Sequence, residues 1–250
     1  MGFDGTIILS QNPATNYERF SETIFPDNTG KHPSFRKLKM SKRAEGGFYR
    51  CQFDINASRE MLFKLFFGNL TRQVEVSTPD GRICWEGLIV ENTLHLGLID
   101  LRLSIKDIYN KVWMRYQITG SGVTSRSAIS SNAASYGRYG NKELVLSGGE
   151  LESAAIAVQT CNRALELARR PAVMIDSVSL SKNTGGSAEP YLSILCNGYI
   201  DTLNWQMYNQ TVATGNQAAS LQINDILTAK GQFIASWLLN PNGTAVTKVY

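Results

Sequence analysis

Residues 150–171, ELESAAIAVQTCNRALELARRP, are the clearest helical stretch in a chain whose remaining apolar residues mostly alternate or cluster between turns. Leu151, Ala155, Val158, Cys161, Leu165 and Ala168 recur at steps of three and four, which places them on one stripe of a 3.6-residue helix. Ser147 followed by Glu150 fits a capping box, Arg169 and Arg170 suit the negative helix end, and Pro171 is a stop. Burial of Leu151, Val158 and Leu165 would contribute roughly 1.5–3 kcal/mol each, so packing rather than propensity holds such a helix. With strand-rich sequence on both sides, the expectation is a mainly β, α+β protein: two related small β-barrel units joined by a long amphipathic helix.

Composition narrows the classes. The 250 residues are 43% apolar and carry a net charge of +4, enough to build one large core or two small ones, and too little charge to imply nucleic acid or an anionic membrane. Cys51, Cys84, Cys161 and Cys196 have neither CxxC nor zinc-ligand spacing and lie in apolar segments, the pattern of four buried free thiols. No segment approaches the roughly 20 apolar residues of a membrane span, and MGFDGTIILS lacks a signal-peptide pattern. A soluble chain made in a reducing compartment is expected. The sequons at Asn56, Asn69, Asn209 and Asn242 are then inert, and Met1, Gly2 and Thr6 match a myristoylation pattern only weakly.

Four regions follow from patterning. Residues 1–47 read as an N-terminal arm, with turn formers Asn12, Pro13, Pro26, Asp27, Asn28 and Gly30 and the basic block KHPSFRKLKMSKR. Lys31, Arg36, Lys37, Lys39, Lys42 and Arg43 carry that block. They are candidates for contact with phosphate or an acidic partner, against the plainer reading of a solvated loop, since only Phe35 could stack on a base. Residues 48–117 read as a first β-barrel unit: an alternating strand, a short helix capped by Ser58, a hairpin about Pro79-Asp80-Gly81, and a strand over 98–105. Residues 118–171 hold a Ser/Gly/Asn-rich linker, tight glycine turns in SYGRYG and the helix. Residues 172–250 read as a second unit, with strands AVMIDSVSL and YLSILC about an Asn183-Thr184-Gly185-Gly186 turn, a short helix over 217–229 and a strand QFIASWLL.

An internal echo supports the pairing of units. LRLSIKDIYNKVWMRYQITG and LSILCNGYIDTLNWQMYNQTVATG each run from a strand through an Asp and an Asn to a Trp, Met and Tyr cluster. Asp107 matches Asp201 and Asn110 matches Asn204, with Trp113 and Trp205 as the aromatic anchors of the two copies. The expected unit is a strand turning through an Asp/Asn bend onto an aromatic lid.

Chemical motifs are sparse. There is no GxSxG, HExxH, phosphate-binding loop or dinucleotide fingerprint, and His32 and His95 are the only histidines. His95, between Leu94 and Leu96, reads as a satisfied strand histidine. No catalytic, metal or cofactor residue is assigned. Glu86, Glu91 and Asp100 are the one carboxylate set that adjoining strands could bring together as a glycosidase pair. Trp85, Trp113, Trp205 and Trp237 are either core anchors or, for Trp85 or Trp205, a sugar-stacking platform.

The hairpin RQVEVSTPDGRICWEGLIVE, the Tyr136–Gly140 turn before ELVLSGGE and the helix, and the GYIDTLNW exit resemble tail proteins of tailed bacteriophages, of the baseplate hub or tail-tip type. The likeness spans roughly residues 48–230, with no counterpart for the basic segment 31–43. It implies a non-enzymatic virion protein assembled in the host cytoplasm. Such a protein forms a homo-trimer, or a hexamer, that continues or closes the tail tube. Its neighbours would be the tube, other baseplate or fibre proteins and the tape-measure protein. A carbohydrate-binding β module is the alternative.

Overall fold

The computed structural model describes residues 3–11, 21–43, 47–178, 189–205, 226–228, 238–239 and 246–247. The chain is mostly β with some helix. Its main body is a sheet closed on itself. Strands β1 (Thr6–Ser10), β2 (Ser21–Pro26), β3 (Ser34–Arg43), β4 (Gly47–Asn56), β5 (Gln73–Ser77) and β6 (Ile83–His95) enter it from the N-terminal half, after which the chain leaves. It returns much later with β13 (Tyr191–Asn197), which slots between β4 and β6. Round the barrel the order is β6-β13-β4-β3-β2-β1-β5 and back to β6.

Closure depends on the length of β6. Its first half, from Ile83 to Leu88, pairs with β5, while Leu88 to His95 pair with β13 on the opposite edge. Gly87 lies at this changeover, where an added Cβ would come within 2.2 Å of the Asn197 carbonyl oxygen. Gly198, just past β13, is tighter still: its Cβ would lie 1.8 Å from the Phe48 carbonyl oxygen. At these two positions only a residue without a side chain permits the backbones to meet.

Alternation along the strands fills the barrel. Ile7, Leu9, Ile24, Phe53, Ile55, Val74, Val76, Trp85, Leu94, Leu192 and Ile194 are buried in one cluster. Helix α1 (Arg59–Gly68) adds Leu62, Leu65 and Phe66 to it. As the sequence suggests, Ser58 caps this helix, its Oγ accepting from the Met61 N–H at 3.3 Å. The basic block is not an arm: it is β3, a barrel strand with Phe35 in the core. Burial of Phe35 and pairing with β4, rather than its charge, fix its place.

The second body is an insertion. Strands β7 (Ile99–Ser104) and β12 (Met174–Val178) pair antiparallel as a ribbon continuing from β6, and residues 105–173 lie between them. There β8 (Lys111–Ile118) is flanked by β11 (Glu143–Leu151) in parallel and, on its other edge, by β9 (Thr124–Arg126) and β10 (Ser130–Ser131). Helix α3 (Ala154–Ala168) covers this sheet, packing Ala157, Cys161 and Leu165 onto Val112, Met114 and Tyr116.

Several expectations need correcting here. The helix starts at Ala154 rather than Glu150, because Glu150 and Leu151 extend β11 along Gln117 and Ile118. The Ser147 capping box therefore does not form, and Ala155 is exposed. SYGRYG is not a run of turns but part of helix α2 (Ala133–Tyr139), capped by Asn132 through the Ser135 N–H at 2.9 Å. The linker 118–135 contains β9 and β10. Tyr191–Asn197 belongs to the first barrel, not to a second one, since both its edges find partners there. Nor do β12 and β13 form a hairpin; the Asn183–Gly186 turn, Trp237 and most of residues 206–250 lie outside the described residues.

The internal echo is not a structural repeat either. After β7 the chain turns and enters β8, where Trp113 is buried. After β13 the matching residues form a 3-10 helix, Tyr199–Trp205. Asn110 is fully buried, donating to the Gly140 carbonyl at 2.5 Å and accepting from the Lys142 N–H at 2.9 Å, whereas Asn204 is exposed.

Candidate functional site

A polar row crosses the outside of the barrel. Asp100 on β7, His95 on β6, Ser193 on β13 and Asp54 on β4 stand on neighbouring strands. His95 Nδ1 lies 2.9 Å from Asp100 Oδ1 and its Nε2 3.2 Å from Ser193 Oγ, and Ser193 Oγ donates to Asp54 Oδ1 at 2.6 Å. Lys37 Nζ closes the row 3.1 Å from Asp54 Oδ2, and Tyr191 stacks on His95 with centroids 4.2 Å apart. Serine, histidine and aspartate in this order invite a nucleophile reading. The single Ser193 proton, however, is directed at Asp54, so His95 Nε2 faces a lone pair rather than a proton it could remove. β13 is paired on both edges, which leaves no strand N–H groups turned outward for an oxyanion. The row stitches five strands, and His95 is the satisfied strand histidine its sequence context suggests.

The carboxylates do not converge. Glu86 is buried and accepts from Gln73 Nε2 at 3.2 Å, Glu91 pairs with Lys106 at 3.1 Å, and Asp100 belongs to the row above. None lines the cleft described next. Trp85 is fully buried, which removes it as a sugar platform, and Trp113 is a core residue beside Arg126.

The basic strand is engaged within the chain. Arg36 and Lys37 approach Asp54, Lys42 and Arg43 lie over the Phe48 and Tyr49 rings, and Lys31 lies over Phe25. Lys39 is exposed on the same strand. A bulge at Arg36/Lys39, with Lys37 at φ 55°, turns the Lys37 side chain toward Asp54.

A concave feature with titratable and aromatic walls sits where barrel, insertion and 3-10 helix meet. It is a cleft of about 220 Å³ whose walls include Tyr109, Lys142, Glu143, Asp201, Asn204 and Trp205. Lys142 immediately precedes β11 and is only 5% exposed. Its Nζ donates to the Ile105 carbonyl and lies 5.6 Å from the Tyr109 ring centroid and 5.1 Å from that of Trp205. Burial lowers the ammonium pKa from 10.5 to about 8, against the opposing pull of Asp107 and Asp201. Asp201 is itself held by Asn197 Nδ2 at 2.7 Å. The echo residues thus meet: Asp107, Asp201, Asn204 and Trp205 surround one lysine, and buried Asn110 holds its backbone. Trp113 stands apart. GNKELVL reads in sequence as a turn and a strand, with no mark on Lys142, whose amine is enclosed by the distant Ile105, Tyr109 and Trp205.

Outside the cleft, the ribbon gathers several exposed apolar side chains. Every residue of β12 is exposed, with Ile175 at 68%, and Leu98 at the start of the ribbon is 61% exposed. Among the described residues no strand pairs with the outer edge of β12. No helix among them is long and apolar enough to cross a membrane, and no group of His, Cys, Asp and Glu there could hold a metal ion. Comparison with protein-family models, with curated proteins and with solved structures finds no significant match.

Proposed function

We propose that this chain is a structural subunit that assembles with copies of itself through the β7–β12 ribbon. The single observation that carries the reading is that ribbon: a strand edge without a pairing strand among the described residues, whose side chains, Met174, Ile175 and Val178, are apolar and exposed. Strand edges of this kind pair with another chain unless they are blunted. β12 has no Lys and no Pro; it is five residues long with one irregularity between Ile175 and Ser177, and its one acid, Asp176, is paired with Arg102 at 3.1 Å. A head-to-tail contact that closes gives a ring. Together with the resemblance of RQVEVSTPDGRICWEGLIVE and GYIDTLNW to baseplate hub and tail-tip proteins, this supports a non-enzymatic ring of three or six copies in a phage tail. The tube, baseplate, fibre and tape-measure proteins are its proposed neighbours. Native mass spectrometry tests the reading: trimers or hexamers that fall to monomers in Ile175→Asp support it.

A second reading rests on the cleft. Trp205 with Asp201, Asn204 and Glu143 offers an aromatic wall and polar groups of the kind that hold a sugar. Binding on a glycan array that is lost in Trp205→Ala, with the fold retained, would favour that carbohydrate-binding alternative.

A further inference from the structure

Lys142 is an amine in an unusual setting. A lysine that only braces a fold usually keeps its ammonium in water and buries its stem. Here the amine is drawn inside, between two aromatic rings, at the wall of a cleft large enough for one substituted ring. Groups that face it from each packed element are Asp107 ahead of β8, Glu143 on β11 and Asp201 on the 3-10 helix, with Tyr109 beside them. Lys106, the other lysine of the cleft, is engaged by Glu91.

We propose that the cleft is a carbonyl-binding site in which Lys142 Nζ forms an imine with a small planar aldehyde, stacked between Tyr109 and Trp205. The neutral amine adds its lone pair to the carbonyl carbon, and the carbonyl π pair moves to oxygen, which takes up a proton. Nitrogen loses a proton, the resulting hydroxyl, protonated in turn, leaves as water while the C=N bond forms, and the iminium nitrogen then gives up its remaining proton. Amine and aldehyde give imine and water, with no change of oxidation state. Asp201 and Glu143 are the wall carboxylates through which those protons pass. Desolvation of the amine, which keeps a large neutral fraction near pH 8, is the activation such chemistry needs. The site is independent of the assembly reading, and its failure would leave that reading intact.

The test uses the full chain. Pyridoxal is added across a pH series, adducts are fixed with borohydride, and modified lysines are mapped by peptide mass. Lys142 should label on the order of tenfold faster at pH 8 than an exposed lysine such as Lys39, with its rate levelling above about pH 8. Lys142→Met should remove that fast fraction, whereas Lys39→Arg, outside the cleft, should keep it. Labelling spread over exposed lysines with Lys142 unmodified would overturn the proposal. So would a Lys142 rate no faster than theirs, or one still climbing well above pH 8.

Discussion

The barrel and the ribbon that leaves it are built from the same strand type, yet they treat their edges in opposite ways. In the barrel every edge is consumed, because β6 is long enough to pair with β5 and then with β13. In the ribbon β7 is paired on both sides while β12 has one neighbour among the described residues, and apolar side chains face out there. The difference teaches where stability resides and on what feature the proposed association rests. Closure concentrates burial in one cluster, whereas the open edge leaves apolar surface and backbone groups for a second chain.

The largest expected effect sharpens the barrel side. Trp85 is fully buried at the β5–β6 pairing, so Trp85→Ala should cost about 3–5 kcal/mol in a chemical denaturation series. Unfolding curves that hardly moved would mean the cluster is not the stabilising core. Next comes the joint between the two bodies. Lys142 has a folded pKa near 8, below its unfolded value, so the unfolded chain binds more protons between about pH 8 and pH 10.5. Stability relative to Lys142→Met should therefore be flat below pH 8, then rise by about 3 kcal/mol toward pH 10.5. A relative stability that fell over that window would contradict the buried placement.

A third comparison uses the glycine at the end of β13. Gly198→Ala drives a methyl into the Phe48 carbonyl, and a loss of about 1–3 kcal/mol is expected from overpacking alone. An unchanged midpoint would show that β13 does not seat as described. Thiol chemistry gives a milder contrast within the barrel. Burial pushes Cys51 up to about 12 and Cys196 well above its ordinary value, so both should resist iodoacetamide in the native chain at pH 8. Cys84 is half-buried and should react before either of them. Rapid modification of Cys51 without unfolding would break the closed-barrel account.

Much of the barrel was legible because it is local. The β5–β6 hairpin follows from its Pro79-Asp80-Gly81 turn, and α1 from Ser58 and the spacing of Leu62, Leu65 and Phe66. What misled was non-local. Tyr191–Asn197 alternates as any half-buried strand does, and nothing in those seven residues says that its partners lie about a hundred or more positions earlier. Charge is a poor guide to the place of β3, since its basic residues lie on the outer side of a strand whose inner residue, Phe35, is the placing signal. The matching Asp and Asn residues of the echo were recognisable as a pair, but sequence likeness could not show that one copy becomes a strand and the other a 3-10 helix. Their convergence on Lys142 is a product of tertiary structure, and a lone lysine before ELVL carries no mark of burial.

The smallest stability effect tests the central claim most directly. Ile175→Asp on the exposed face of β12 should change stability by less than about 0.5 kcal/mol, as surface substitutions usually do. The decisive measurement is the native mass of the wild-type chain and this variant at the same concentration. A closed trimer or hexamer for the wild type, reduced to monomer by Ile175→Asp, is the predicted result. A wild-type chain that stays monomeric, or an oligomer indifferent to the substitution, would contradict assembly through the ribbon.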